Sequence, residues 1–195
     1  MRVRLGCCAI SVVISQLAFA SVVLADDYVS QLYRFTMRIP AGWTKQERDP
    51  SGGNKDSSLG TGIILILTER PQGSSGSFNP NMTIAVRDLA RSPQTKSAQQ
   101  IQDLAIDLLN SIPLGSSPGP VQPVSRNGFV GASRQLSYEQ EYHGQVMKLA
   151  VLTTALGSAG HNRCFMITGA APMESFAQYE PIFLKTTESF EALQP

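Results

Sequence analysis

Large apolar residues alternate with polar or smaller ones in two short segments of the first half of the chain. These segments are 35–39 and 82–86, and the pattern is typical of a strand with one buried face. Residues 63–67 are all aliphatic, which predicts a central strand covered on both faces. Pro40 is expected to end the first strand, and Trp43 to begin another short one.

A helical repeat follows these strands. Apolar residues recur at spacings of three and four between 98 and 112, which predicts an amphipathic helix that ends before Pro113. Ser97 and Gln100 fit a capping box at its start. Near the C terminus a second helix is predicted, with Pro181 in its first turn. Its apolar stripe consists of Phe176, Tyr179, Phe183 and Phe190.

Between the two helices the pattern changes to a meander of three strands. The strands are predicted over 132–142, 146–156 and 163–169. A tight turn at 143–144 joins the first pair, and a glycine-rich turn at 157–160 joins the second. The whole pattern predicts an α+β layered domain with a central antiparallel-rich sheet.

The first 25 residues have the layout of a secretory signal peptide. Two arginines precede an apolar stretch over 7–24, and small residues come just before Asp26. We expect cleavage after Ala25, with Ala20 as the second choice, and a secreted or periplasmic domain over 26–195. An uncleaved membrane anchor is the alternative. The apolar stretch is at the short limit for a membrane span, and any membrane contact is expected only through this segment.

Charge and cysteine content narrow the classes of function. The chain has a formal net charge of +1, and without residues 1–25 it keeps fourteen basic and fifteen acidic residues. This balance argues against nucleic acid as a partner, because nucleic-acid binders carry a basic excess or patch. Removal of the same segment leaves Cys164 as the single cysteine, so no internal disulfide is expected. Cys164 lies in an apolar run and is predicted to be buried.

Two groups of residues have the types needed for chemistry. Residues 115–119 match the G-x-S-x-G nucleophile pattern, but Pro118 follows the serine and has no N–H for an oxyanion hole. Glu139, Glu141 and His143 are expected on one side of a strand, where they could bind a metal or act as acid and base. A solvated strand face is the alternative interpretation.

The other candidate features are weaker. His161, in the glycine-rich turn, belongs to no legible catalytic group. We therefore assign no catalytic, cofactor-binding or metal residue, expect no cofactor, and predict that the domain folds without a metal. The loops at 49–62 and 70–81 are the better candidates for partner contacts, because exposed loops on a rigid scaffold often carry function.

Both ends of the predicted domain resemble a known family. Residues 33–43 (Tyr-Arg-Phe-Thr-Met-Arg-Ile-Pro-Ala-Gly-Trp) are similar to the opening of the PsbP-like group, which also includes Mog1 and the DcrB-type envelope proteins. Residues 171–190 resemble its last helix and the segment before it. The resemblance implies an α/β/α sandwich whose members are generally non-enzymatic accessory or binding proteins. It carries no universal catalytic residue to this chain.

These observations lead to three hypotheses of function. The first is an exported, non-catalytic accessory or binding domain that acts through a protein partner or an envelope component. The second is a secreted hydrolase or metal-binding protein that uses Glu139, Glu141 and His143. The third is a membrane-tethered envelope protein that retains residues 1–25. In each case Trp43 is expected to pack in the core, and Gly42 to allow the backbone turn before it.

Overall fold

The computed structural model describes residues 24–49, 55–56, 61–70, 78–89, 97–112, 118–158 and 163–193. These segments contain eleven strands and two helices. In chain order they are β1 (Leu24–Ser30), β2 (Phe35–Pro40), β3 (Trp43–Glu47), β4 (Lys55–Asp56), β5 (Thr61–Glu69), β6 (Asn81–Asp88), α1 (Ala98–Asn110), β7 (Gln122–Arg126), β8 (Phe129–Tyr142), β9 (Gln145–Ser158), β10 (Arg163–Pro172), α2 (Phe176–Glu188) and β11 (Glu191–Ala192).

Eight strands form the main sheet, in which every pairing is antiparallel. The order is β3-β5-β6-β10-β9-β8-β7, and the short β4 also pairs with β5. The predicted meander is confirmed as β8, β9 and β10. His143 and Gly144 join β8 to β9 with φ of 50° and 78°, the geometry of a type I′ hairpin turn.

The aliphatic run at 63–67 lies in β5, next to the edge strand β3 and away from the middle of the sheet. Ile64, Leu65 and Leu67 are buried, whereas Ile63 and Ile66 are half-buried. One face of this strand is therefore less covered than the sequence predicts.

The two helices pack on opposite faces of the main sheet. Residues of β10 alternate between the faces: Phe165 belongs to the large core with α2, and Cys164 to the smaller core with α1. A second sheet, in the order β1-β2-β11, adds Phe35 of β2 to the α2 side, and Phe190, just before β11, packs in the same core. The α+β sandwich expected from the sequence is confirmed.

The start of α1 is as predicted. The Ser97 hydroxyl accepts a hydrogen bond from the Gln100 backbone N–H at 3.2 Å, and the Gln100 side chain accepts one from the Ser97 N–H at 2.8 Å. These bonds satisfy two backbone donors that a helix start leaves without partners. The buried stripe consists of Ile101, Ala105, Leu108 and Leu109.

Helix α2 differs from the prediction at both ends. It begins at Phe176, so Pro181 is its sixth residue and lies beyond the first turn. Pro181 has no N–H to donate to the carbonyl four residues earlier, and the helix continues without that bond. The helix ends at Glu188, and Phe190 reaches the core from the connection to β11.

Trp43 and Cys164 are buried as predicted. The Trp43 side chain is 8% exposed and meets the Phe183 ring edge-on, with ring centroids 6.2 Å apart. Gly42, just before it, has φ of 79°, which glycine adopts without strain. Burial raises the pKa of the Cys164 thiol to about 11, so the thiol stays protonated at neutral pH.

Most of the predicted signal segment lies outside the described residues, and the proposed cut after Ala25 falls within β1. Among the helices that the structure describes, neither has the length and apolar character needed to cross a membrane.

Candidate functional site: a cleft beside β8

A cleft of about 480 Å³ lies on the α2 side of the main sheet, between α2 and residues 118–122. Strand β8 and its neighbour β9 form the floor, and α2 with the loop before it forms one wall. We call this feature the β8 cleft. Its lining combines hydroxyl, amide and apolar groups, from Pro118, Gly119, Pro120, Gln122, Ser133, Arg134, Gln135, Leu136, Ser137, Ala150, Leu152, Met173, Glu180 and Leu184.

Strand alternation places the polar residues of β8 on this floor. Phe129, at the start of β8, packs against Phe165 and Phe190 on the α2 side. Every second residue after it faces the same way, which brings Ser133, Gln135 and Ser137 to the cleft. The partners of Gln135 and Ser137 on β9 are Leu152 and Ala150, which belong to the large core on the α2 side and also line the cleft. The Ser133 hydroxyl lies 3.0 Å from the hydroxyl of its own partner, Thr154.

Residues 118–122 are held firmly against β8 as the second wall. The Gly119 N–H donates to the Gln135 carbonyl at 2.8 Å. In return, Arg134 Nε donates to the Gly119 carbonyl at 2.9 Å, and Arg134 Nη1 reaches Asn110 Oδ1 at 3.4 Å. The Arg134 guanidinium thus ties this wall to the end of α1 through two hydrogen bonds.

A set of contacts joins the end of α2 to the β7–β8 turn. Arg126 Nη1 lies 3.4 Å from Glu188 Oε1. The Asn127 amide donates to the Glu188 carbonyl at 3.1 Å and to the Phe190 carbonyl at 3.3 Å. These contacts anchor the end of α2 to β7 and to the turn that leads into β8, a strand of the cleft floor.

The rim carries one acid and two exposed apolar side chains. Glu180, on α2, is half-buried. Met173 is 45% exposed and Leu184 is 40% exposed, although both are large and apolar. Exposed apolar side chains beside a concave surface are typical of a binding site.

The polar face of β8 continues past the cleft towards the hairpin turn. Glu139 and Glu141 are the next two residues on it, and both are exposed. Across the hairpin, Lys148 Nζ lies 3.5 Å from Glu139 Oε1. Val146 pairs with Glu141 and is 72% exposed. We call the residues Ser133, Gln135, Ser137, Glu139 and Glu141 the β8 row.

The structure separates His143 from the two glutamates with which the sequence grouped it. His143 lies in the hairpin turn with a positive φ, so its side chain does not follow the strand alternation. Its ring packs against Tyr142, with centroids 4.4 Å apart. Within the described segments, no three His, Cys, Asp or Glu side chains are grouped as metal ligands would be.

The remaining sequence candidates fall mainly outside the described residues. His161 and residues 115–117 of the serine motif are among them, as is most of the loops over 49–62 and 70–81. The last two residues of the motif, Pro118 and Gly119, line the β8 cleft. The sequence placed β8 polar residues on one face, but it did not reveal a cleft there.

A separate polar contact fixes the first half of α2. The Tyr179 hydroxyl donates to Glu69 Oε2, at the end of β5, at 2.7 Å. Burial raises the pKa of Tyr179 to about 12, and the hydrogen bond to the Glu69 carboxylate acts in the same direction. Tyr179 therefore stays protonated and continues to donate throughout the physiological pH range.

Comparison with known proteins identifies the fold. No protein-family model and no curated protein sequence matches the chain. Among solved structures, the cyanobacterial PsbP protein CyanoP from Synechocystis superimposes with a TM-score of 0.51 and 10% identity, over 92% of this chain and 98% of that one. The chain has the PsbP-like fold. The resemblance seen in residues 33–43 and 171–190 is thereby confirmed at the level of structure.

A second solved structure shares this fold. LpqN, which is involved in cell envelope biogenesis of Mycobacterium tuberculosis, superimposes with a TM-score of 0.50 and 12% identity, over 82% of this chain and 83% of that one. The Ran-binding protein Mog1p of Saccharomyces cerevisiae aligns with a TM-score of 0.46 and 8% identity, over 87% of this chain and 96% of that one.

Proposed function

We propose that this protein is an exported, non-catalytic binding domain that engages a protein partner outside the cytoplasm through the β8 cleft. The cleft itself is the observation that carries the proposal. It is open, it is held by the Arg134 and Gly119 contacts, and its rim exposes Met173 and Leu184. A rigid cleft with apolar rim groups and a few polar groups on its floor is suited to binding.

The chemistry of the lining favours binding over catalysis. Of the described residues that line the cleft, Glu180 is the one acid, and none is a histidine or a cysteine. Nucleophilic catalysis needs a base beside the nucleophile. The Ser133 hydroxyl instead lies against the Thr154 hydroxyl, an arrangement that supports the sheet.

Two observations support action outside the cytoplasm. Residues 1–25 have the layout of a secretory signal peptide. LpqN, which shares the fold, is involved in cell envelope biogenesis. A domain delivered to that compartment and equipped with a binding cleft would serve as an accessory protein there.

Site-specific photo-crosslinking in the host cell tests this proposal. A photoreactive amino acid is placed at Gln135, on the cleft floor, and in a matched variant at Asp103, an exposed residue of α1 on the opposite face. We expect a discrete protein adduct from position 135 and none from position 103. Equal adducts from both positions, or none from 135 in a folded and exported variant, would show that the cleft is not a protein-binding site.

A further inference from the structure

We infer that the β8 cleft and the β8 row bind an extended, basic segment of the partner, with lysine or arginine side chains at alternate positions. This inference rests on the proposed function and specifies the chemistry of its ligand. Three properties of the surface carry it: its periodicity, its charge and its exposed apolar groups.

The periodicity of the surface matches an extended chain. The β8 row runs from Ser133 to Glu141, and a strand rises about 3.3 Å per residue, so the row is about 26 Å long. Its side chains repeat about every 6.6 Å. A segment in extended conformation repeats its own same-side residues at the same interval. Such a segment, laid along β8, would place every second side chain over the row.

The charge of the surface selects a basic ligand. Glu180 stands at the rim, and Glu139 and Glu141 form the outer end of the row, against the amine of Lys148. The side chain of Arg134, whose backbone borders the cleft, leaves β8 on the other face and reaches Asn110 of α1. A second copy of this surface would bring like charges together, and so would a phosphate-rich polymer or an anionic membrane. Lysine or arginine side chains provide the complementary charge, which speeds encounter and selects the partner.

The exposed apolar side chains complete the match. Met173 and Leu184 border the cleft, and Val146 stands beside Glu141 at the far end of the row. A lysine or arginine side chain carries its charge on a stem of methylene groups, which can lie along apolar surface. Stems that run over the row from the basic positions would cover the three exposed side chains and remove their apolar surface from water.

A synthetic peptide that alternates lysine and valine is the direct probe. Its binding to the protein is measured by fluorescence anisotropy, beside a peptide in which every lysine is replaced by glutamate. We expect the basic peptide to bind and the acidic peptide not to bind. The affinity should fall as salt is added, because exposed charges are screened beyond the Debye length. Equal binding of the two peptides, or no binding of either, would overturn the inference.

Charge variants then locate the site. Glu180→Lys and Glu141→Lys should each weaken binding of the basic peptide by about threefold to tenfold, because an attraction becomes a repulsion at an exposed pair. Asp103→Lys, on the opposite face, should leave the affinity unchanged. Lys148→Gln should tighten binding by about twofold to fivefold, because it removes the competing amine beside Glu139. All four sites are on the surface, and thermal melts check that each variant is folded.

Three outcomes of the crosslinking experiment separate this inference from the proposed function. If position 135 crosslinks a partner in the host but Glu180→Lys and Lys148→Gln leave that adduct unchanged, the cleft binds a protein and the inference about charge is wrong. If Glu180→Lys reduces the adduct and Lys148→Gln increases it, the inference is supported. If position 135 yields no adduct, the proposed function fails, whatever the peptides do.

Discussion

Trp43 joins parts of the core that are distant in sequence. It lies at the start of β3, yet its ring packs against Phe183 of α2 and within the core formed by β5, β6 and β10. Replacement by alanine removes a large buried side chain and leaves a cavity that the rigid sheet cannot close. The sequence alone predicted this burial, because a large apolar ring next to a strand with one buried face is expected to pack in the same core.

Trp43→Ala should lower the free energy of unfolding by about 3–5 kcal/mol, whereas Trp43→Phe should be milder. Urea denaturation of the two variants beside the unaltered protein measures both changes. A Trp43→Ala variant that keeps the original midpoint but loses a partner would mean that the indole is a binding residue.

Tyr179 is expected to make the free energy of unfolding depend on pH in the alkaline range. Its pKa is raised to about 12, first by burial and then by the hydrogen bond to Glu69, from the ordinary 10.0 that we assign to the unfolded chain. The folded state holds the Tyr179 proton more tightly than the unfolded chain does. The contribution of this group to the free energy of unfolding is therefore complete below pH 10. It is lost as the pH rises from about 10 to about 12.

Tyr179→Phe should cost about 1 kcal/mol at neutral pH, because it removes one hydrogen bond. It should also reduce the fall in stability between pH 10 and 12. Some fall will remain, since burial also raises the pKa values of Tyr28, Tyr33 and Tyr138. Denaturation at a series of alkaline pH values checks this, and identical slopes for the two proteins would contradict it.

His143 shows where prediction from single residues fails. The alternation that places Glu139 and Glu141 correctly was extended by one step to His143. That step crosses into the turn, where a positive φ changes the direction of the side chain. The tight turn predicted at 143–144 already placed His143 outside the strand, and histidine is among the residues enriched at positive φ, so the two predictions for this residue conflicted.

At the scale of elements, the contact between β10 and α2 depends on a residue without a side chain. Gly169 faces α2, and a Cβ at this position would overlap the Phe183 ring, with Cδ1 2.6 Å away. Because Phe183 is fully buried beside Trp43, it has little room to move. The glycine therefore sets how closely the helix approaches the sheet.

Gly169→Ala should destabilise the fold by about 1–3 kcal/mol through overpacking. In the double variant Gly169→Ala with Phe183→Leu, the smaller side chain should offset part of the clash. The double variant should then be less destabilised than the sum of the two single changes. Thermal or chemical melts of the three variants give the coupling, and strict additivity would show that the ring and the glycine do not interact.

The limits of prediction at this scale come from helix ends. The stripe of α2 was visible as aromatic spacing, but its start and end were not. Ser175 makes no side-chain cap bond that would mark the beginning. Phe190 continues the aromatic spacing after the helix has ended. Its side chain enters the core where β11 pairs with β2, so the spacing alone did not mark the end of the helix. By contrast, α1 carries a capping box, and its start was predicted correctly.

At the scale of the whole molecule, the architecture was more predictable than the site. The order of strands and helices follows from local patterns, and the PsbP-like resemblance covers both ends of the domain. The β8 cleft, however, is made by segments that meet only in the folded protein: α2 with the loop before it, residues 118–122, β8 and β9. The polar character of the β8 row was visible in the sequence. The position of α2 beside that row, which makes the surface a cleft, was not.

The proposed export of this domain predicts a specific cleaved product. Cleavage after Ala25 should leave a chain that starts at Asp26, and residues 26–30 still pair with β2 in the structure. Intact mass of the protein recovered from outside the cytoplasm should therefore lack residues 1–25. Full-length protein in the membrane fraction would instead support the retained anchor.

The ring stack of Phe35 on Phe190, with centroids 4.6 Å apart, joins residues from opposite ends of the domain. Beside it, β11 pairs with β2. A chain emerging from the ribosome has β2 long before it has Phe190, so the large core cannot close during most of synthesis. Contacts of such high sequence separation also form slowly. In the proposed export, the polypeptide would therefore still be open while it is threaded through a translocation channel, and the fold would be completed on the far side of the membrane.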